Sequence, residues 1–271
     1  MTETLPPLLL IGCGKMGGAM LAGWLEQGLP ADSVVVEPHA DAAAAFTGRV
    51  RTLRAIVDIP AGFAPAAVIL ATKPQEAPAV LPQLAHLTVG NPVFISIMAG
   101  RNISFMRAAL GQAARIVRAM PNTPAAIRQG FTVACAGPGV DAAQHALATR
   151  LLTAIGEAAW VEDEALIDPV TAVSGGGPAY VFLLAEVMEA AAIAQGVPAE
   201  LARRMARATV SGSGNLLAAS TQPAATLRQN VTSPKGTTER ALEVLMAPDA
   251  WPALMNQAIA AATARSRELA G

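Results

Sequence analysis

Two stretches of this 271-residue chain carry residue types at spacings that could do chemistry. The first runs from Asn230 to Thr238 and reads Asn-Val-Thr-Ser-Pro-Lys-Gly-Thr-Thr. Ser233 has the chemistry of a helix N-cap and Pro234 that of a first helical position. A helix is expected from Thr237 to Met246, with Ala241, Leu242, Leu245 and Met246 on one face. Such a turn offers unpaired backbone N–H groups and hydroxyls at the positive end of a helix dipole. That is a seat for a small carboxylate with a mild proton donor beside it. An ordinary capped helix start is the alternative.

The second stretch is Gly12-Cys13-Gly14-Lys15-Met16-Gly17, directly after the apolar run Leu8-Leu9-Leu10-Ile11. This G-x-G-x-x-G opens a helix that should reach about Gln27, with Gly28 in the position of a C-terminal helix glycine. The three glycines permit a tight turn, close approach of backbone to a pyrophosphate, and close helix–strand packing. A second strand, Ser33 to Val36, ends in Glu37, 20 residues after Gly17. Strand, glycine loop, helix and acidic strand end together predict a dinucleotide-binding domain.

These groups need elements to hold them. From residue 8 to about 160, strand-like and helix-like segments alternate as in a doubly wound sheet. Val68 to Ala71 is expected to be a strand ending in Thr72-Lys73-Pro74-Gln75, and Val93 to Ile97 another ending in Met98-Ala99-Gly100. Arg115 to Arg118 leads into Met120-Pro121-Asn122-Thr123-Pro124, where two prolines rule out a continuing helix. Phe131 to Ala136 and Ala158 to Val161 complete the strands. Ligands on such sheets bind beyond the carboxyl ends of the strands, so those strand ends are candidate contacts; plain turns are the other reading.

Beyond residue 163 no strand alternation is visible. Helices are expected over Ala179 to Gln195, stopped by Gly196 and Pro198, then Leu201 to about Ala219 and Trp251 to Leu269. The first is apolar on most sides, with Glu186 and Glu189 as its only interior charges, and belongs in a core or an interface. Ser174-Gly175-Gly176-Gly177-Pro178 before it reads either as backbone free to press on a ligand or partner, or as an interhelix turn. The domains expected are 1–163, an α/β doubly wound dinucleotide-binding domain, and 164–271, all-helical.

Composition narrows the function classes. Net charge is −1 without a long basic run, so nucleic acid is not an expected partner. Charged residues make up 14%, against about 25% in ordinary domains, so burial of surface in a homo-oligomer is expected. Cys13 and Cys135 are the only cysteines and have no paired spacing, which argues against a disulfide framework or a metal site. Cys13 reads as a small residue in the glycine loop. The N-terminus lacks the pattern of a signal peptide, and Gly, Pro and charges interrupt every apolar run short of 18 residues. A soluble cytoplasmic protein with no membrane partner is expected.

The glycine loop, Ala-Thr-Lys-Pro-Gln from Ala71, Met-Pro-Asn-Thr-Pro from Met120, Val-Ser-Gly-Gly-Gly-Pro-Ala-Tyr from Val173 and the Asn230 to Thr238 stretch occur in that order. Together they closely resemble the pyrroline-5-carboxylate reductase family, from about residue 8 to the Arg-Ser-Arg-Glu-Leu near the C-terminus. The last two motifs are highly specific to it; the first is shared by many nicotinamide enzymes. The resemblance implies a Rossmann-type domain, a helical dimerisation domain, and reduction of 1-pyrroline-5-carboxylate to L-proline with NADPH or NADH. It implies a phosphate cradle of Gly12, Gly14, Lys15, Met16 and Gly17, with Ala71, Thr72, Lys73, Pro74, Ile97, Met98 and Ala99 lining the cofactor. Asn230, Thr237 and Thr238 would meet the substrate, Thr238 next to the imine nitrogen as the catalytic donor, with Ser233 and Gly236 completing the seat. A homodimer would be the minimal unit, with higher homo-oligomers open.

One position departs from the family pattern. Lys235-Gly236 stands where the family has Gly-Gly. A lysine there is strained if the backbone needs a positive φ; otherwise it adds a positive charge near the substrate carboxylate. Hydride addition to a partly protonated cyclic imine needs positioning and a hydrogen-bond donor more than a strong acid. His39, His86 and His145 lie in no motif and read as surface residues. Glu37 leans the cofactor choice toward NADH, because a carboxylate accepts from the ribose 2′-hydroxyl and repels a 2′-phosphate. Arg49, Arg51 or Arg54 folding back is the NADPH alternative. Two rival readings are a reductase for another cyclic imine or keto acid, and a catalytically idle nicotinamide-binding sensor.

Overall fold

A computed structural model describes residues 4–270. Strands β1 (Leu8–Ile11), β2 (Val34–Val36), β3 (Arg51–Leu53), β4 (Ala67–Leu70), β5 (Val93–Ser96), β6 (Arg115–Met120), β7 (Gly130–Ala136) and β8 (Gly156–Val161) form one sheet among the described residues. Its order is β3-β2-β1-β4-β5-β6-β7-β8. All neighbours pair in parallel except β6 with β7. The order reverses between β1 and β4, the switch point at which doubly wound sheets hold ligands.

The apolar runs become strands because both faces of the sheet are covered. Successive side chains point to opposite faces. Leu8, Leu10, Val35, Ile69, Ile95 and Val117 therefore join one core, around Met20, Leu21 and Trp24 of α1 (Lys15–Glu26). Leu9, Ile11, Val34, Val36, Leu70, Phe94 and Ile116 join the other. The second core takes Leu81 and Leu84 of α3 (Ala77–Leu84) and Met106 and Leu110 of α4 (Ile103–Leu110). The short α2 (Ala40–Ala43) follows β2, and α5 (Ala142–Thr153) lies on the Trp24 side. Trp24 is fully buried, and its indole N–H donates to the Leu151 carbonyl at 2.8 Å.

The remaining helices are α6 (Ile167–Val170), α7 (Gly177–Ala194), α8 (Ala199–Ala219), α9 (Ala224–Asn230), α10 (Thr237–Leu245) and α11 (Trp251–Ala270). Two compact units result: everything described up to Gly175 together with the stretch from Ala262 onward, and Gly176–Ala261. The sheet ends at Val161, just before the division expected at residue 163, and the first compact unit runs on to Gly175. Within the second unit α7 packs on α8, and Arg203 Nε meets Glu189 Oε1 at 3.2 Å. No residue of α7 is buried within the chain, and Phe182 is 67% exposed. Such an open apolar face on an ordered helix marks an interaction surface.

Several expectations need correction. Strand β3 went unread because Arg51-Thr52-Leu53 is an edge strand with both polar residues exposed and no apolar run. Helix α9 is seven residues with little apolar periodicity, and it too went unread. The glycine-rich stretch is helical backbone, not an interhelix turn. Thr171–Gly175 is a π-helical turn leading into α7, and Gly175 fits against the Met120 side chain, whose Cε would lie 2.9 Å from an added Cβ. The run Glu164–Ala194 is also long and apolar enough, by length and composition alone, to cross a membrane. It is not an uninterrupted apolar run: Asp168, three glycines, two prolines, Glu186 and Glu189 lie within it.

Trp24→Ala removes the largest buried side chain and orphans the Leu151 carbonyl. It is expected to destabilise the first unit by about 3–5 kcal/mol, read as a lower denaturant midpoint. An unchanged midpoint would remove Trp24 from the core argument.

Candidate active site

The glycine loop turns from β1 into α1 with each glycine doing a different job. Gly12 has φ +92°, and a Cβ there would lie 2.8 Å from the Ala71 carbonyl oxygen at the end of β4. A Cβ on Gly17 would lie 2.3 Å from the Gly12 oxygen, so the helix meets the turn backbone to backbone. Around Gly14 no protein atom lies within 4 Å of the same position. Gly14 is also the N-cap of α1 and makes no side-chain cap bond, which leaves the N–H groups of the first turn free toward that open space. A cradle that excludes side chains on the protein side and is open on the other fits a pyrophosphate. Lys15 is exposed at its rim and Met16 half-buried.

Glu37 sits under this loop, 6% exposed. Its Oε2 accepts the Cys13 N–H at 2.7 Å, and its Oε1 accepts the His39 N–H at 2.9 Å. Burial, reinforced by the Glu37 charge, pushes the Cys13 thiol up to about 11. Cys135 is also buried, and its thiol is raised by burial first and then by Glu164. Arg54 Nη1 donates to the Pro38 carbonyl at 2.7 Å, placing one of the three expected arginines at the same strand end.

The next two strand ends are tied to each other. Thr72 Oγ1 lies 3.6 Å from Met98 Sδ, and Arg101 Nε donates to the Pro74 carbonyl at 3.0 Å. Lys73 N–H donates to Glu76 Oε2 at 3.3 Å at the start of a helical turn. Gly12, Gly14, Lys15, Met16, Gly17, Glu37, Ala71, Thr72, Lys73, Pro74, Ile97, Met98 and Ala99 therefore gather at the carboxyl ends of β1, β2, β4 and β5. Sequence reading missed Arg101, whose neighbours Gly100 and Asn102 signalled only a loop. It also missed the role of Asn122. That side chain donates to the Ser174 carbonyl at 3.0 Å and accepts the Phe131 N–H at 2.8 Å.

Asn230, Ser233, Gly236, Thr237 and Thr238 lie in the second unit, along the connection from α9 to α10. Asn230 ends α9, with its amide 3.3 Å from Gln222 Oε1. Ser233 is not the N-cap, and Pro234 is not the first helical residue. Ser233 to Gly236 form a tight turn closed by Gly236 N–H to the Ser233 carbonyl at 3.0 Å, and the N-cap is Gly236. Proline fits the second position of that turn equally well, so the same residues satisfied two patterns. Thr237 and Thr238 occupy the first helical positions and are exposed. Among the described residues, no hydrogen bond engages their hydroxyls.

Lys235 has φ +59°, so the strained alternative holds. Its N–H donates to Glu239 Oε2 at 2.7 Å, the first turn of α10 reaching back to fasten the turn. His39 and His86 are exposed as expected. His145 is not a plain surface residue: it stacks on Trp160 with ring centroids 3.8 Å apart.

A doubly wound sheet with a glycine cradle at its switch point, joined to a helical unit, defines a dinucleotide-dependent oxidoreductase architecture. A family model described as NADP oxidoreductase coenzyme F420-dependent matches residues 8–100. One described as pyrroline-5-carboxylate reductase dimerisation matches residues 164–269. The pyrroline-5-carboxylate reductase of Pseudomonas aeruginosa is 40% identical over 98% of this chain and 97% of its own. That of Haemophilus influenzae is 33% identical over 97% of both. A solved structure of the Coxiella burnetii pyrroline-5-carboxylate reductase superposes with TM-score 0.91 at 33% identity, covering 99% of this chain and 100% of that one. An NADP-bound pyrroline carboxylate reductase from Plasmodium falciparum superposes with TM-score 0.84 at 25% identity, over 99% and 100%. This chain belongs to the pyrroline-5-carboxylate reductase family.

Two outcomes follow from the geometry. A thiol raised to about 11 carries little thiolate at pH 8, so Cys13 is expected to resist alkylation in native protein and react after denaturation; mass spectrometry of the labelled peptide reads this. Native-state labelling of Cys13 at pH 8 would contradict it. For Lys235, the left-handed backbone costs a non-glycine residue roughly 1–2 kcal/mol, against roughly 0.5–1 kcal/mol of extra chain entropy for glycine. Lys235→Gly is therefore expected to stabilise by up to about 1 kcal/mol, visible as a higher thermal midpoint; a lower midpoint would show that the lysine side chain more than offsets the strain.

Proposed function

We propose that this protein reduces the cyclic imine 1-pyrroline-5-carboxylate to L-proline by hydride transfer from NAD(P)H, the last step of proline biosynthesis. The observation that carries the reading is the pairing, in one chain of this family, of an open glycine cradle with a hydroxyl-bearing helix start. When bound, the nicotinamide cofactor supplies the hydride. The N–H groups of the first turn of α1 hold its pyrophosphate, with Gly14 open to close approach. Ala71 to Pro74 and Ile97 to Ala99 line it, and the Thr72–Met98 and Arg101–Pro74 contacts keep that wall in shape.

On the substrate side, backbone N–H groups at the start of α10 receive the carboxylate, helped by the helix dipole. Asn230, Ser233, Gly236 and Thr237 shape the seat. The Thr238 hydroxyl donates to the imine nitrogen, which holds the C=N carbon electrophilic and orients it for hydride. No strong acid is required: when the imine binds neutral, its nitrogen takes a proton from the Thr238 hydroxyl as hydride reaches carbon and water restores that proton, and when it binds already protonated it accepts hydride directly, its N–H then donating to the Thr238 oxygen.

Glu37 favours NADH. Its buried charge at the end of β2 receives ribose hydroxyls on its remaining lone pairs and repels a 2′-phosphate. Arg54 is the group nearest to offering a counter-charge, but it already donates to Pro38. The reading places the protein in the cytoplasm as a homodimer or larger homo-oligomer, with a second copy covering the apolar face of α7 and with neither membrane nor nucleic acid as partner. Sedimentation as a lone monomer at micromolar concentration would contradict the assembly.

The decisive experiment follows absorbance of NADH and NADPH with 1-pyrroline-5-carboxylate and purified protein. Substrate-dependent oxidation is expected, with kcat/KM for NADH at least roughly tenfold above that for NADPH, a difference of about 1.4 kcal/mol. Equal efficiencies would defeat the role of Glu37. Failure of both cofactors in folded, nucleotide-binding protein would defeat the substrate assignment. Thr238→Ala is expected to lower kcat by roughly a hundredfold, the low end for a positioned proton donor, without weakening cofactor binding; unchanged turnover would remove Thr238 from the mechanism.

A further inference from the structure

A set of polar side chains outside the glycine cradle has no part in that chemistry, yet converges on the stretch that follows Ile97–Ala99. Arg118 of β6 is 4% exposed; its Nη1 donates to Glu164 Oε1 at 3.0 Å and its Nη2 lies 3.8 Å from Asp168 Oδ1. The same Glu164 oxygen accepts the Ile103 N–H at 2.8 Å, fixing the first residue of α4. The same Asp168 oxygen accepts from Ser266 Oγ at 2.8 Å, in the buried part of α11. Three residues further along α11, Leu269 lies against Gly100, where an added Cβ would come within 2.9 Å of Leu269 Cβ and 3.0 Å of its carbonyl oxygen.

We propose that this network and the end of α11 are positioning elements for the cofactor-lining segment 97–99, setting affinity for the nicotinamide cofactor while touching neither cofactor nor substrate. The segment leaves β5 and must reach α4 within a few residues. Its course is set at successive points: Met98 against Thr72, Gly100 at φ +67° beneath Leu269, Arg101 on the Pro74 carbonyl, and Ile103 on Glu164. The end of α11 presses on Gly100 through Leu269, and the Ser266–Asp168 bond anchors that end. Ion pairs this buried contribute little net stability, because desolvation offsets most of their attraction. What they supply is a fixed geometry for backbone that lines a site.

The inference rests on the reading of 97–99 as cofactor wall, and the test separates the two. In the full-length protein, Ser266→Ala frees the end of α11 from Asp168. Kd for NADH, by fluorescence titration, and KM for NADH are expected to rise about fivefold to tenfold, as for a wall displaced by a fraction of an ångström. Turnover at saturating NADH and KM for the imine acid should stay within about twofold, since the groups that position the imine are unaltered. Ser266→Thr, which keeps the hydroxyl, should restore Kd. Gly100→Ala should weaken NADH binding in the same direction while leaving the polar network intact. A lower thermal midpoint with unchanged Kd in Ser266→Ala would mean a structural brace only, and overturns the proposal. Met98→Ala tests the underlying reading: if it leaves Kd unchanged, wall and brace both fall. If Met98→Ala weakens binding and Ser266→Ala does not, the positioning role alone falls.

Discussion

The approach of Gly17 to the Gly12 carbonyl governs what can be built at this sheet. With a Cβ position only 2.3 Å from that oxygen, α1 must start as close to β1 as backbone permits. Gly12 is itself wedged against Ala71, so the turn is locked to the end of β4 as well. That closeness puts the free N–H groups of α1 at the reversal of strand order and leaves Gly14 facing outward. It also dictates what lies below. Cys13 must be small, and its backbone N–H, unable to join the helix, is received by the Glu37 carboxylate. One steric limit thus connects the glycine turn, the acidic strand end and the burial of a cysteine between them.

Much of this was legible in the residues because the limit acts locally. Glycine spacing, an apolar strand before it and an acidic residue at the next strand end are short-range signals. The parallel strands were readable for a different reason: buried on both faces, they appear as uninterrupted apolar runs. Arg51 to Leu53 escaped because an edge strand needs no such run. Ser233 and Pro234 misled because a capped helix and a tight turn ask for the same residue types, and only the backbone angle at Lys235 decides between them. Contacts such as Ser266 with Asp168 join residues 98 positions apart and leave no periodic trace.

The proposed nucleotide half and the proposed substrate half, each in its own unit, are therefore held by different physics. The nucleotide half is preformed by packing of a buried sheet and two cores. The substrate half is a short exposed turn whose shape comes from a few local bonds, chiefly Glu239 back to Lys235 and Gly236 to Ser233. A turn of that kind has little of its own core to brace it. The open apolar face of α7 in the same unit shows that this unit is not complete within one chain. The family match to a dimerisation region covers 164–269, and a second copy on that face, as proposed, would supply the burial that the helices lack.

Lys235 brings the constraint back to chemistry. A left-handed residue in the turn is what allows Gly236 to cap α10 and leaves Thr237 and Thr238 in its first turn. Glu239 carries its negative charge at the same helix start, and its carboxylate accepts the Lys235 N–H, so one acidic side chain fastens the strained turn. Under the proposed function, the N–H groups of the first turn and the two threonine hydroxyls are the polar groups that receive the substrate. Strain at one backbone position and the acidic side chain that fastens it are two parts of the same arrangement.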